Sequence, residues 1–272
     1  MAVRIERHGR GVVTIALDAP ETRNALSAAM MDALSDAAET LTTDTTTRVV
    51  VLTGEGETFC AGGDLRWMRA QADATDDERR MEARRLADML GRLDRLPQVL
   101  IARVQGGAFG GGVGLMSVCD TAIVAEDARF GLTETRLGLI PATIGPYVVA
   151  RIGGAAARRT MLSGERFDAS EAVRLGLAAR AVPPETLDEA VEREVAEHLR
   201  AAPGAVASAK AMIRDLAPSA DEAEVVASVD RLATRWNDPE AAEGIAAFFE
   251  KRKPGWSKWR AREDSNSRPP DS

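Results

Sequence analysis

The sequence predicts an α/β domain with a helical extension at its C-terminal end, and three observations carry that prediction. Apolar strand-like runs alternate with helix-period segments between Val12 and Val182. Strand signals stop at Pro183, and beyond it Pro203, Pro218 and Pro239 punctuate segments whose only period is helical. At 272 residues the chain can bury a large core as one domain plus an appendage, since single α/β domains often exceed about 200 residues.

Val12–Leu17 reads as the first strand, and Met30, Leu34, Ala38 and Leu41 then mark one face of a helix. Val49–Thr53, apolar at consecutive positions, reads as a buried strand. Thr75 and Glu78 form a capping box before a helix whose inner face is Leu86, Met89, Leu93 and Leu96, and Pro97 ends it. On that helix Arg79, Arg80, Arg84 and Arg85 interleave with Asp76, Asp77, Glu78, Glu82 and Asp88, the pattern of a solvated face.

Further strands are expected at Val99–Val104, Thr121–Ala125 and Leu177–Val182, with Arg129–Thr133 as a loop. Pro146 should open a helix that ends at Gly153. Asp168 and Glu171 look like a second capping box, on a helix closed by Gly176. These boundaries divide the chain into an α/β part at 1–195, a helical region at 196–260 and a polar tail at 261–272 that is expected to be disordered.

Net charge −7 argues against nucleic acid or an anionic membrane as the main partner. No apolar run reaches the roughly 18 residues of a membrane span, and Met1–Arg7 lacks the core of a signal peptide, so a soluble, cytoplasmic protein is expected. Cys60 and Cys119 sit among small apolar residues and should pack rather than react. His8 and His198 belong to no motif, which leaves little for a zinc site or a Ser/Cys hydrolase; no metal and no cofactor are expected.

Chemistry concentrates in two small-residue turns. Gly107-Ala108-Phe109-Gly110-Gly111-Gly112-Val113-Gly114 follows an apolar strand and leads into Leu115–Cys119, as at a helix N-terminus with bare N–H groups. Cys60-Ala61-Gly62-Gly63-Asp64 follows the strand Val49–Thr53 in the same manner. Each is either a tight turn or one half of an oxyanion hole, which needs two such donors. No Gly-x-x-x-x-Gly-Lys-Ser/Thr occurs, and the glycine run matches the dinucleotide fingerprint only in abundance.

Together, Phe59–Leu65, Gly110–Gly112, Cys119-Asp120 and Ala128–Pro141 resemble the enoyl-CoA hydratase/isomerase (crotonase) family, and the likeness runs from Asn24-Ala25-Leu26 to Glu243–Pro254. The resemblance implies a spiral of repeated strand-strand-helix units and C-terminal helices that assemble a homotrimer, commonly paired into a homohexamer. It implies an acyl-CoA thioester substrate whose enolate is stabilised by the backbone N–H groups of Gly63 and Gly111. Ala61, Asp64 and Leu65 match the segment that lines CoA, and Arg23, Phe248 and Lys251 match positions that contact its phosphates or base, the last two from a neighbouring subunit. Coenzyme A would be part of the substrate, so no separate cofactor is implied.

Family hydratases use two glutamates. This chain keeps the second, Glu134, and has Gly114 at the place of the first. Leu137–Tyr147 looks most like the methylglutaconyl-CoA hydratase branch, and Gly114, Ala142, Thr143 and Ile144 should shape the acyl pocket; Thr143, Tyr147 or Asp64 either hold a water or serve in packing and capping. The resemblance favours hydration of a short or branched 2-enoyl-CoA, of the kind met in fatty-acid or branched-chain amino-acid breakdown. Double-bond isomerisation with one glutamate and a weakly catalytic acyl-CoA binder are the alternatives.

Overall fold

A computed structural model describes residues 2–216 and 222–258. Six strands form the main sheet: β1 (Val3–His8), β2 (Val12–Leu17), β3 (Val49–Gly54), β4 (Val99–Val104), β6 (Thr121–Ala125) and β9 (Arg180–Val182), in the order β1-β2-β3-β4-β6-β9. Only β1 is antiparallel to its neighbour. β5 (Gly107–Phe109), β7 (Arg129–Gly131) and β8 (Arg166–Asp168) form a small second sheet. Strand, strand and helix therefore recur as β4–β5–α4 (Gly111–Ser117) and β6–β7–α5 (Gly145–Ser163), as the family resemblance implies.

The parallel strands are buried on both sides, which explains their unbroken apolar runs. In register, Ile15 faces Leu52, Leu52 faces Ala102, and Ala102 faces Ala122. Those residues share a core with Met30 and Leu34 of α1 (Ala28–Thr42) and Met89, Leu90 and Leu93 of α3 (Asp76–Asp94). On the other side Val49, Val51, Ile101 and Ile123 pack under Leu187, Ala190, Val191 and Val195 of α7 (Leu187–His198). Leu34 is fully buried, and truncating such a leucine to alanine costs about 2–5 kcal/mol.

Several sequence expectations need correction. β1 is a strand despite exposing five of its six residues, because it pairs along the sheet edge with β2. Arg129–Gly131 is a strand, not a loop, since it bridges β5 and β8. The last strand is only Arg180–Val182. α5 does not stop at Gly153 but kinks there, with φ +75°, and continues to Ser163. Asp168 accepts from the Glu171 N–H, whereas the Glu171 carboxylate turns to Arg174 and Arg159 instead of completing a capping box.

An unforeseen helix, α2 (Leu65–Asp73), starts where Asp64 accepts from the N–H groups of Arg66 and Trp67. The face of α3 is not wholly solvated. Arg79 is buried, donating to the Gln71 and Ala72 carbonyls that end α2 and to Asn237 Oδ1, so it ties two helices to the chain's last quarter.

α6 (Ala169–Arg174) precedes β9, and beyond β9 the elements among the described residues are all helices, chiefly α7, α8 (Pro203–Leu216), α9 (Glu222–Trp236) and α10 (Pro239–Phe249). Pro203 and Pro239 each occupy the first helical position. Pro218 and the tail 261–272 lie outside the described residues. Among the described residues no helix is long and apolar enough to cross a membrane.

Candidate active site

Both glycine turns meet at one cleft because backbone touches backbone there. The Cys60 N–H donates to Gly107 O at 3.1 Å, and the Phe109 N–H returns to Cys60 O at 3.0 Å. A Cβ on Gly62, whose φ is +94°, would lie 2.8 Å from Phe109 O, and one on Gly112 would lie 2.6 Å from Cys60 O. Only glycine permits that approach. Leu26 bridges Gly63 in parallel fashion, and Asn24, fully buried with φ +54°, fixes the turn before it. Its Oδ1 accepts from the Ala19 N–H while its Nδ2 donates to the carbonyls of Glu55 and Thr58.

The result is two free donors. Neither the Gly63 nor the Gly111 N–H has an acceptor among the described residues; Gly63 is exposed at its turn, and Gly111 is the first residue of α4. Both line a cleft of about 560 Å³. Its wall also includes Glu134.

Glu134 opens a 3-10 turn, Glu134–Leu137, that is held from three sides. Its carbonyl accepts from the Leu139 N–H at 3.0 Å, and Arg235 donates to Gly138 O at 2.7 Å. α10 then packs so closely that a side chain on Gly138 or Gly244 would collide with the opposite backbone. The Gly110 N–H donates to Gly131 O, and a Cβ on Gly110 would stand 2.8 Å from Glu134 Oε1. Glu134 Oε2 is out of contact with solvent and has no hydrogen-bond partner. Burial without a cation raises its carboxyl from 4.5 to about 7. An acid that can both hold and release a proton near neutrality thus shares a cleft with two bare amides. That set can take a proton from, or give one to, a carbon next to a carbonyl whose oxygen the amides hold.

Residues 7–259 match the family model described as enoyl-CoA hydratase/isomerase. The chain belongs to that family. It is 37% identical over 205 residues to enoyl-CoA hydratase ACTT6 of Alternaria alternata, covering 75% of this chain and 67% of the relative. It is 33% identical over 246 residues to the 2,3-dehydroadipyl-CoA hydratase of Escherichia coli K12, covering 89% and 94%. An enoyl-CoA hydratase crystal structure from Mycobacterium avium superposes with a TM-score of 0.82 at 31% identity, covering 94% of this chain and 98% of that one.

Of the positions that the family resemblance assigns to coenzyme A, Arg23, Ala61, Leu65 and Phe248 line the cleft. Phe248 does so in its own chain, because α10 packs on the turn that carries Glu134. Asp64 and Lys251 are not in the wall. The Asp64 carboxylate is occupied in capping α2, and Lys251, with φ +53°, is the left-handed residue that closes α10, the following Arg252 N–H reaching back to Ala247 O.

Of the expected acyl-pocket residues, Ala142, Thr143 and Ile144 line the cleft. Gly114 does not. It is buried beneath Ile144, whose Cγ2 would be 2.6 Å from a Cβ at that position, so the place of the missing glutamate holds an isoleucine side chain and not a gap. Tyr147 is buried with its hydroxyl on Ala87 O. Cys60 and Cys119 are buried, and burial pushes the Cys60 thiol up to about 12 and the Cys119 thiol higher still. Among the described residues no three His, Cys, Asp or Glu side chains gather as a metal site would need.

Sequence reasoning missed Trp67, Glu82, Phe109, Arg136 and Arg166, all of which line the cleft. Glu82 stands four residues before Leu86 of the inner face, a spacing that places both on one side of α3. The surrounding charges hid that signal.

Proposed function

We propose that this enzyme hydrates a short or branched 2-enoyl-CoA through a thioester enolate. The observation that carries the reading is Glu134, whose Oε2 is buried without a hydrogen-bond partner, in one cleft with the free N–H groups of Gly63 and Gly111. When water adds to the β-carbon, charge moves onto the thioester oxygen, and fixed donors there stabilise the transition state more than the substrate. Glu134 as a neutral acid then delivers the α-proton. Ala142, Thr143 and Ile144 border the acyl group, which supports a short or branched chain rather than a long straight one, and Arg23, Ala61, Leu65 and Phe248 receive coenzyme A, with Lys251 and the Asp64 turn nearby in sequence. The exposed Met212, Ile213 and Leu216 of α8 are consistent with assembly into a homotrimer or homohexamer.

Gly114 favours a second reading, double-bond isomerisation by Glu134 alone, since one carboxyl suffices to move a proton between carbons. Steady-state assays with crotonyl-CoA, 3-methylglutaconyl-CoA and a 3-enoyl-CoA separate the two. Hydration faster than isomerisation supports the proposal. Isomerisation without hydration overturns it, and binding without turnover would make the chain an acyl-CoA carrier.

A further inference from the structure

A second carboxylate does line the cleft, from another wall. Among the described residues, the acidic side chains in the cleft wall are Glu134, on the turn after β7, and Glu82, on α3. The Glu82 side chain is 15% exposed, and its Oε2 accepts from Trp67 Nε1 at 3.1 Å. Arg85 lies 3.4 Å from its Oε1 and reaches outward to Asp32. The indole that holds Glu82 also touches the glycine turn: Trp67 Cε3 and Cζ3 would be 3.8 Å from a Cβ on Gly63. The Trp67 indole therefore spans from Glu82, at its Nε1 edge, to the turn that carries the Gly63 donor, at its Cε3–Cζ3 edge, and the wall beside Glu82 otherwise contributes Met68, Ala83 and Leu86. A water among those apolar groups would find its acceptor in Glu82.

We infer that Glu82 holds and activates the water that adds to the β-carbon, the task that a glutamate at position 114 performs in two-glutamate hydratases. The inference rests on the hydratase reading above. In the step, Glu82 takes one proton from water as the oxygen bonds to the β-carbon. The C2=C3 electron pair moves to C2 and the thioester oxygen, held by Gly63 and Gly111, and C2 then takes the proton of Glu134. Proton exchange with solvent returns Glu82 to carboxylate and Glu134 to acid, so the net change is addition of one water.

Glu82→Gln tests this, because glutamine keeps a carbonyl oxygen for the Trp67 N–H while it removes the base, together with the charge that faces Arg85. In the full chain, kcat for hydration of the better of crotonyl-CoA and 3-methylglutaconyl-CoA should fall about 10²-fold or more, with KM little changed. Exchange of the α-protons of butyryl-CoA with D2O, which needs Glu134 and the two amides but no attacking water, should continue at the wild-type rate and also proves the variant folded. Wild-type hydration by Glu82→Gln overturns the assignment, as does loss of hydration and exchange together, which would make Glu82 a support for Trp67. If the wild-type protein itself neither hydrates nor exchanges, the hydratase reading falls with it.

Discussion

Replacing Glu134 by glutamine should make the protein slower and, above pH 7, more stable. A carboxyl that titrates at about 7 instead of 4.5 makes ionisation about 3 kcal/mol costlier in the folded state than in the unfolded one. Below pH 4.5 both states are protonated and no difference arises. Between 4.5 and 7 the unfolded chain releases its proton while the folded one retains it, so stability falls as pH rises, and above 7 the full loss of about 3 kcal/mol persists. Glutamine cannot ionise. Denaturant melts of wild type and Glu134→Gln should therefore separate progressively from pH 5 to pH 8, the variant being the more stable at pH 8, while its turnover is about 10²–10⁴-fold lower. A stability difference that does not change with pH, or near-normal turnover, would refute the assignment of Glu134 as a buried proton-transfer acid.

Gly114→Glu should not create a two-glutamate hydratase: its side chain meets Ile144 and then Leu90, so loss of stability is expected, with the double variant carrying Ile144→Ala recovering part of it in the same melts. Asn24→Ala leaves the Ala19 N–H and the Glu55 and Thr58 carbonyls without their partner, and a loss of at least about 1–3 kcal/mol in denaturant midpoints is expected. Arg23→Gln should raise KM for an acyl-CoA with kcat nearly unchanged, the gap narrowing as salt is added, because a phosphate contact is the same in ground and transition states. Salt-independent KM values would remove Arg23 from the site.

Much of the fold could be read from the sequence wherever both faces of an element are buried. β2, β3, β4 and β6 stand where apolar runs placed them, and the capping box of Thr75 and Glu78 has both of its hydrogen bonds. Elements defined by tertiary pairing were not legible: β5, β7 and β8 have three residues each, too few for a period, and β1 exposes five of its six residues and so carries no apolar alternation. The two glycine turns stood out as local motifs and Glu134 through the family resemblance, whereas their meeting depends on backbone contacts between distant segments. Gly114 illustrates the limit. Its missing side chain is visible in the sequence, yet that Ile144 fills the space, and that Glu82 enters the cleft from α3, follows only from packing.

The most direct test of the account is a crystal structure of the protein with a bound acyl-CoA that mimics the enolate, such as acetoacetyl-CoA. The thioester oxygen should lie within about 2.7–3.2 Å of both the Gly63 and Gly111 nitrogens, with the Glu134 carboxyl against the α-carbon. A thioester oxygen held elsewhere, or a Glu134 turned away from the acyl group, would contradict the central claim.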